Sequence, residues 1–202
     1  IPDISVLRRT NPLFYPLARC AVVGATFPSY WLLERVHYLL PSEEPELGFL
    51  DIYFQLSFAE QIAVAVGTVI IGPFVEEMLF RGAIFRPLRE KYRAAVVIAI
   101  TAATFAAIHE DPRKMAPLLL VGIVLGTLRW TSGSLWAPLL FHMGFNAVPF
   151  YDLFQLDALP ENIDEPVAIQ LVVIGAAAFT VAMAALLLVT RKSRTASAAR
   201  RE

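Results

Sequence analysis

The stretch Val75-Glu76-Glu77-Met78-Leu79-Phe80-Arg81, VEEMLFR, follows a long apolar run and leads directly into the apolar Gly82-Ala83-Ile84-Phe85. Two adjacent carboxylates and a guanidinium in such surroundings decide how the chain is read. Ionisable groups inside a membrane cost roughly 2.5–3.5 kcal/mol each on insertion scales, so they face the bundle interior with a partner or a task. On a helix at about 100° per residue, Glu77 and Arg81 are four apart and can pair along one face. Glu76 points about 100° away from Glu77, leaving it without a partner in its own helix.

The composition agrees with lipid surroundings. Of 202 residues, 57% are hydrophobic and 17% charged, and the mean hydropathy is +0.59, more apolar than the ~45–50% of an ordinary soluble domain. A net charge of -1 gives no reason to expect nucleic acid as a partner. The single cysteine, Cys20, excludes an internal disulfide and a multi-cysteine metal site. Its apolar neighbours predict a packed thiol.

Val167 to Val189 is the one run that meets the length of a bilayer span cleanly. Shorter candidates are Leu13 to Leu33 (interrupted by Arg19), Leu56 to Phe85, Ala94 to Ile108, Met115 to Leu128 and Leu135 to Phe150. About six spans are therefore expected, in an all-α, polytopic integral membrane helical bundle with a polar intramembrane cavity. Residues 1–190 read as one transmembrane domain and 191–202 as a basic tail. Arg8 and Arg9, the run from Arg86 to Arg93, Arg129, and the run from Arg191 to Arg194 alternate with acidic or mixed segments from Pro41, His109 and Asp152. This alternation predicts that both termini are cytoplasmic. Gly122 and Gly126 form a small-xxx-small pair of the kind that lets helices approach closely.

Two further polar positions interrupt apolar segments. Phe105-Ala-Ala-Ile-His109 places a phenyl ring one turn before an imidazole, and Pro112 then predicts a helix stop. The His109-Glu110 pair lacks the second histidine of a zincin helix, because position 113 is arginine. His142-Met-Gly-Phe-Asn146 projects an imidazole and a carboxamide from one helix face. Glu76 and His109 can polarise a water while His142 and Asn146 donate to an oxyanion. Alternatively, Glu76, His109 and His142 match a His2Glu zinc site with an open fourth position. Spacing alone leaves both schemes open.

The ordered triple EEMLFR, FAAIH and HMGFN, on successive apolar segments, resembles the CPBP (Abi) family of CAAX prenyl endopeptidases of type II and bacteriocin-processing or immunity proteins. Its pattern is EExxxR, FxxxH and HxxxN or HxxxD, and the likeness covers about residues 72–149. The resemblance implies an intramembrane protease in a bacterial or archaeal membrane. It would cleave a membrane-associated protein or peptide near its C-terminus. Glu76 would be catalytic with His109, His142 and Asn146, and Glu77, Arg81 and Phe105 would support them. The family has been described both as glutamate-type and as metal-dependent, so zinc stays open. Two other classes compete: a non-catalytic immunity-like or chaperone-like partner binder, and a proton-coupled transporter. Both would use the same buried polar groups. One tension accompanies the reading: the charge alternation places Glu76 toward the cytoplasmic half of its span and His109 toward the outer end of its own, so helix tilt or shifted span ends are needed to bring them level, and Gly72-Pro73 offers a site for a kink or break.

Overall fold

Residues 12–40, 49–155 and 167–198 are described by a computed structural model of the chain. They form helices throughout, with no strand among the described residues. In chain order these are α1 (Phe14–Leu39), the short α2 (Phe49–Gln55), α3 (Phe58–Lys91), α4 (Ala94–Ala107), α5 (Met115–Ser132), α6 (Trp136–Gln155) and α7 (Ile169–Ala198). Among the described residues, Phe58–Lys91, Met115–Ser132 and Ile169–Val189 are long and apolar enough to cross a bilayer. Helix α4 is shorter but also apolar.

The molecule is inverted relative to a soluble bundle. Arg81 and Glu77 are 0% and 1% exposed, whereas Val181 is 69% and Ile174 63% exposed. Water would penalise that arrangement and lipid favours it, so the bundle is that of a membrane protein. Cys20, expected to be packed, lies exposed on α1. Its neighbours Ala21 and Val22 are buried in the core, while Cys20 itself lies on the outward face of the helix with Val23.

Helix α3 is continuous but not uniform. It opens with a capping box in which Ser57 accepts from the Glu60 amide while the Glu60 carboxylate accepts from the Ser57 amide. Two π-helical segments, Gly67–Ile71 and Met78–Ile84, then flank the α-helical Gly72–Glu77. The amide of Gly72 donates to the Gly67 carbonyl and that of Phe85 to the Phe80 carbonyl. Pro73 has no amide to donate and its ring crowds the carbonyl four residues earlier, and the wider π-turn accommodates both defects. The expected break at Gly72-Pro73 is thus a change of helical pitch within an unbroken helix.

Helix α4 stops at Ala107, ahead of Pro112 as expected, with Glu110 in the left-handed region at φ 54°. Helix α5 ends at Gly133, whose φ of 68° closes the helix by an amide bond to the Arg129 carbonyl. The expected tail is partly helical, since α7 continues as backbone to Ala198. The acidic segment from Pro41 and the cations Arg8 and Arg9 lie outside the described residues, as does most of the segment from Asp152.

Small residues set the close crossings. A Cβ on Gly122 would meet the Ala102 Cα at 2.8 Å, and one on Gly126 would meet the Ile98 side chain at 3.2 Å. Equal steps along both helices make α4 and α5 an antiparallel pair in close backbone contact, within one chain. Helices α1 and α7 cross in the same way, with Gly24 against the Phe179 backbone and Gly175 against the Gly24 carbonyl and Pro28. Between these pairs lies an apolar core that includes Phe80, Phe105, Leu125, Leu128 and Phe141.

This packing predicts opposite responses at two glycines. Gly122→Ala is expected to lower the melting temperature in detergent, by roughly 1–3 kcal/mol of overpacking, because backbone rather than a flexible side chain opposes the new methyl. Gly67→Ala, with nothing within 4 Å, is expected to leave it unchanged or raise it slightly. Thermal unfolding of both variants by circular dichroism checks the assignment.

Candidate functional site

The α-helical turn Gly72–Glu77 places two carboxylates on different faces of α3. Glu77 faces inward and is held at one oxygen by two groups: Arg81 Nη1 donates to Oε1 at 3.0 Å, and His142 Nδ1 lies 3.0 Å from the same atom. Because a carboxylate oxygen can only accept, His142 donates from Nδ1. That bond fixes the ring so that its other nitrogen, Nε2, faces Glu76 Oε2 at 3.8 Å. The Glu76 side chain remains 30% exposed. Glu77 is thus paired with Arg81 at one oxygen, as the spacing of four predicts, and Glu76 turns to a group on another helix.

Arg81 makes a second bond, from Nη2 to the Gly122 carbonyl on α5 at 3.1 Å. Its guanidinium also lies 4.8 Å from the centre of the Phe105 ring, a cation–π contact strengthened by burial. Phe105 meets Phe80 edge-on at 5.6 Å and both histidine rings, His109 at 5.1 Å and His142 at 5.6 Å. The expected brace for His109 is thus also the partition between the two imidazoles.

His109 is exposed, and its Nδ1 lies 2.8 Å from the Phe105 carbonyl one turn earlier. A carbonyl only accepts, so Nδ1 carries the proton and the Nε2 lone pair of the neutral ring is left outward. Asn146 Nδ2 donates to the Thr68 carbonyl at 3.1 Å, in the first π segment of α3. Helix α6 therefore grips α3 at two heights in antiparallel sense, His142 at the carboxylates and Asn146 at Thr68. Asn146 also lines an apolar cavity of about 330 Å3 between α1, α3, α5 and α6, together with Ser29, Leu118, Val121 and Phe145. The Ser29 hydroxyl is buried there with no hydrogen-bond partner among the described residues.

Of the expected site residues, the structure brings together Glu76, Glu77, Arg81, Phe105 and His142. It leaves His109 on the far end of the Phe105 contact and Asn146 one turn away on the cavity wall. Among the described residues no three His, Cys, Asp or Glu side chains converge as a metal-ligand set. Glu76 and His142 form a pair, and the third donor of the His2Glu scheme is not gathered with them. One buried group carries no signal in the sequence: Arg129, which reads as a loop cation after the fourth span, is 7% exposed in the last turn of α5. Its Nε donates to the backbone carbonyl of Arg81 at 2.9 Å.

The buried pair gives a stability test. Arg81→Ala would leave Glu77 as a buried carboxylate without its guanidinium, so a loss of about 3–5 kcal/mol is expected. Glu76→Gln keeps volume on a partly exposed side chain, and its detergent melting temperature is expected to match wild type. Similar losses for both variants would refute the unequal roles of the two carboxylates.

Comparison with known proteins bears on this same segment. Residues 58–148 match the family model described as type II CAAX prenyl endopeptidase Rce1-like. An uncharacterized 24.3 kDa protein of Escherichia coli is 33% identical over 92 residues, covering 43% of this chain and 42% of that protein. A Bacillus subtilis (strain 168) protein named "Putative membrane peptidase YdiL" is 26% identical over 106 residues, covering 52% of this chain and 43% of that protein. The chain thus spans about two-fifths of the length of these relatives. No solved structure matches. Across residues 58–148, the segment that supplies Glu76, Glu77, Arg81, His109, His142 and Asn146, the chain is similar to the Rce1-like type II CAAX prenyl endopeptidases.

Proposed function

We propose that the chain is an intramembrane endopeptidase that hydrolyses a peptide bond near the C-terminus of a membrane-associated protein or peptide. The observation that carries this reading is the fixed presentation of His142 Nε2 to Glu76 Oε2 at 3.8 Å, on a segment similar to a peptidase family. A six-span topology with both termini cytoplasmic belongs to this reading and is supported by the charge alternation.

Glu76 acts as the base. Its carboxylate takes a proton from water as the oxygen attacks the scissile carbonyl carbon, giving a tetrahedral intermediate with negative charge on the former carbonyl oxygen. The protonated form of His142 has Nδ1–H committed to Glu77 and Nε2–H available, and Asn146 keeps a second amide hydrogen beyond the one given to Thr68. These donors stabilise the oxyanion. As the intermediate collapses, the carbon–nitrogen bond breaks and the proton held by Glu76 passes to the leaving amine. His109, with its Nε2 lone pair free, accepts from the attacking water when substrate orders the site. The substrate segment beside the bond lies in the apolar cavity next to Asn146, where it meets the Ser29 hydroxyl.

Two measurements test this. Wild type and Glu76→Gln are assayed against tethered C-terminal transmembrane substrates, with zinc content measured on the same samples. Cleavage lost in the variant is the expected result. No cleavage by wild type would favour the partner-binding class, and stoichiometric zinc whose removal abolishes activity would replace the glutamate-type scheme. Leu118→Trp, which narrows the cavity, is expected to raise KM several-fold with kcat nearly unchanged, the signature of lost uniform binding. An equal KM would move the substrate elsewhere.

A further inference from the structure

The structure assigns Arg129 as a positioning residue for the carboxylate and histidine cluster, a role that rests on the proposed protease reading for its kinetic consequence but not for its geometry. It lies outside the three motifs that carry the family resemblance. Two arginines bind each other's helices reciprocally. The Arg81 side chain on α3 donates to the Gly122 backbone carbonyl on α5 at 3.1 Å, and the Arg129 side chain on α5 donates to the Arg81 backbone carbonyl on α3 at 2.9 Å. Gly122 and Arg129 are seven residues apart, so they share one face of α5 about 10.5 Å apart along its axis. Arg81 is therefore held to α5 at two heights, once by its side chain and once by its backbone.

What is held is an unfavourable pitch. Arg81 sits within the π segment Met78–Ile84, whose geometry survives only where surroundings enforce it. Relaxation of that segment to α-helix would change the register by about one residue, rotating one side of it by about 100° relative to the other. Glu77 immediately precedes the segment and Arg81 lies inside it. Such a rotation would turn α3 on one side of the segment against α5 and α6, drawing Arg81 from the Gly122 carbonyl or Glu77 from His142 Nδ1 and losing the 3.8 Å approach of Nε2 to Glu76. The Arg129 bond to the Arg81 carbonyl lies in the middle of the segment, where it opposes that change. The guanidinium is itself fixed over the Phe85 ring at 5.6 Å, just past the segment's end.

The cluster has few other restraints. Among the described residues, Glu76 Oε2, Glu77 Oε2, Arg81 Nε and Arg129 Nη1 are buried without hydrogen-bond partners. The bonds named above are thus the ones that set the geometry. Arg129 also brings a second buried guanidinium to a site with two carboxylates, matching charge as well as shape.

Arg129→Lys and Arg129→Met separate this role from general stability. Lysine keeps the charge and a donor that can reach the Arg81 carbonyl, and methionine keeps only length. Per folded molecule, methionine is expected to lower kcat by roughly 10–100-fold with KM unchanged, and lysine is expected to restore most of it. The second readout needs no substrate: with 15N-labelled histidine, the His142 Nδ1–H signal of the bond to Glu77 is expected to be retained in the lysine variant and lost in the methionine variant. A methionine variant whose kcat and His142 signal both match wild type overturns the proposal. So does one in which only the melting temperature falls. If the methionine variant does not fold, Arg129→Leu, which also lacks a donor, carries the same readouts with the same overturning result. If wild type cleaves nothing, the protease reading fails alone, and the His142 signal still decides the role of Arg129.

Discussion

One carboxylate oxygen, Glu77 Oε1, accepts from both Arg81 and His142 at 3.0 Å in the interior of an apolar bundle. A buried charge without compensation is among the most destabilising features a fold can carry, so this oxygen constrains every helix that reaches it. It requires Arg81 from α3 itself and His142 from α6. Through the Arg81 bond to the Gly122 carbonyl it also requires α5 at close range. The close range is possible because Gly122 has no side chain to separate α5 from Ala102 on α4. Four helices are thus tied to the geometry of one carboxylate, and the apolar residues around it fill the space that geometry leaves.

This dependence explains why adjacent glutamates have such different surroundings. Glu77 is spent on structure, with its guanidinium and imidazole partners in place. Glu76, 30% exposed and facing only the far nitrogen of His142, is the carboxylate with chemistry still available. In the proposed reaction His142 connects the two roles: the nitrogen bonded to Glu77 fixes the ring, and the opposite nitrogen meets Glu76 and the reacting groups. An imidazole can serve in this way because its two nitrogens are distinct and the bond at one determines what the other offers.

Helical spacing makes the intrahelical part of this arrangement legible in the sequence. Glu77 with Arg81, and Phe105 with His109, are pairs four apart, and the 3.6-residue repeat fixes such pairs wherever the helix goes. The apolar runs likewise mark the helices, and Gly122 with Gly126 marks a close crossing. Contacts between helices are not legible, because rotation and height of one helix against another leave no trace in local periodicity. Hence spacing leaves open which histidine faces Glu76, and the approach of His142 Nε2 to Glu76 emerges only from the packing of α6 on α3. Arg129 reads as a loop cation for the same reason, and nothing local announces the crossing of Gly24 with Gly175. Cys20 illustrates a related limit in lipid: apolar neighbours signal burial in a soluble protein but equally signal a bilayer-facing surface here.

The π segments show where sequence and tertiary structure share control. Gly72-Pro73 announces that a regular helix is costly at that point, and the first π segment ends there. Met78–Ile84 carries a weaker local signal, a single glycine, Gly82, with no proline. Its pitch must come from what binds it, and the bonds that reach it from α5 are made to the one residue, Arg81, that also completes Glu77. A register that sequence does not dictate is therefore fixed by the charged groups whose spacing it determines. For a site that must hold a carboxylate in reach of water inside a membrane, this coupling supplies preorganisation without adding a further polar residue to the cavity.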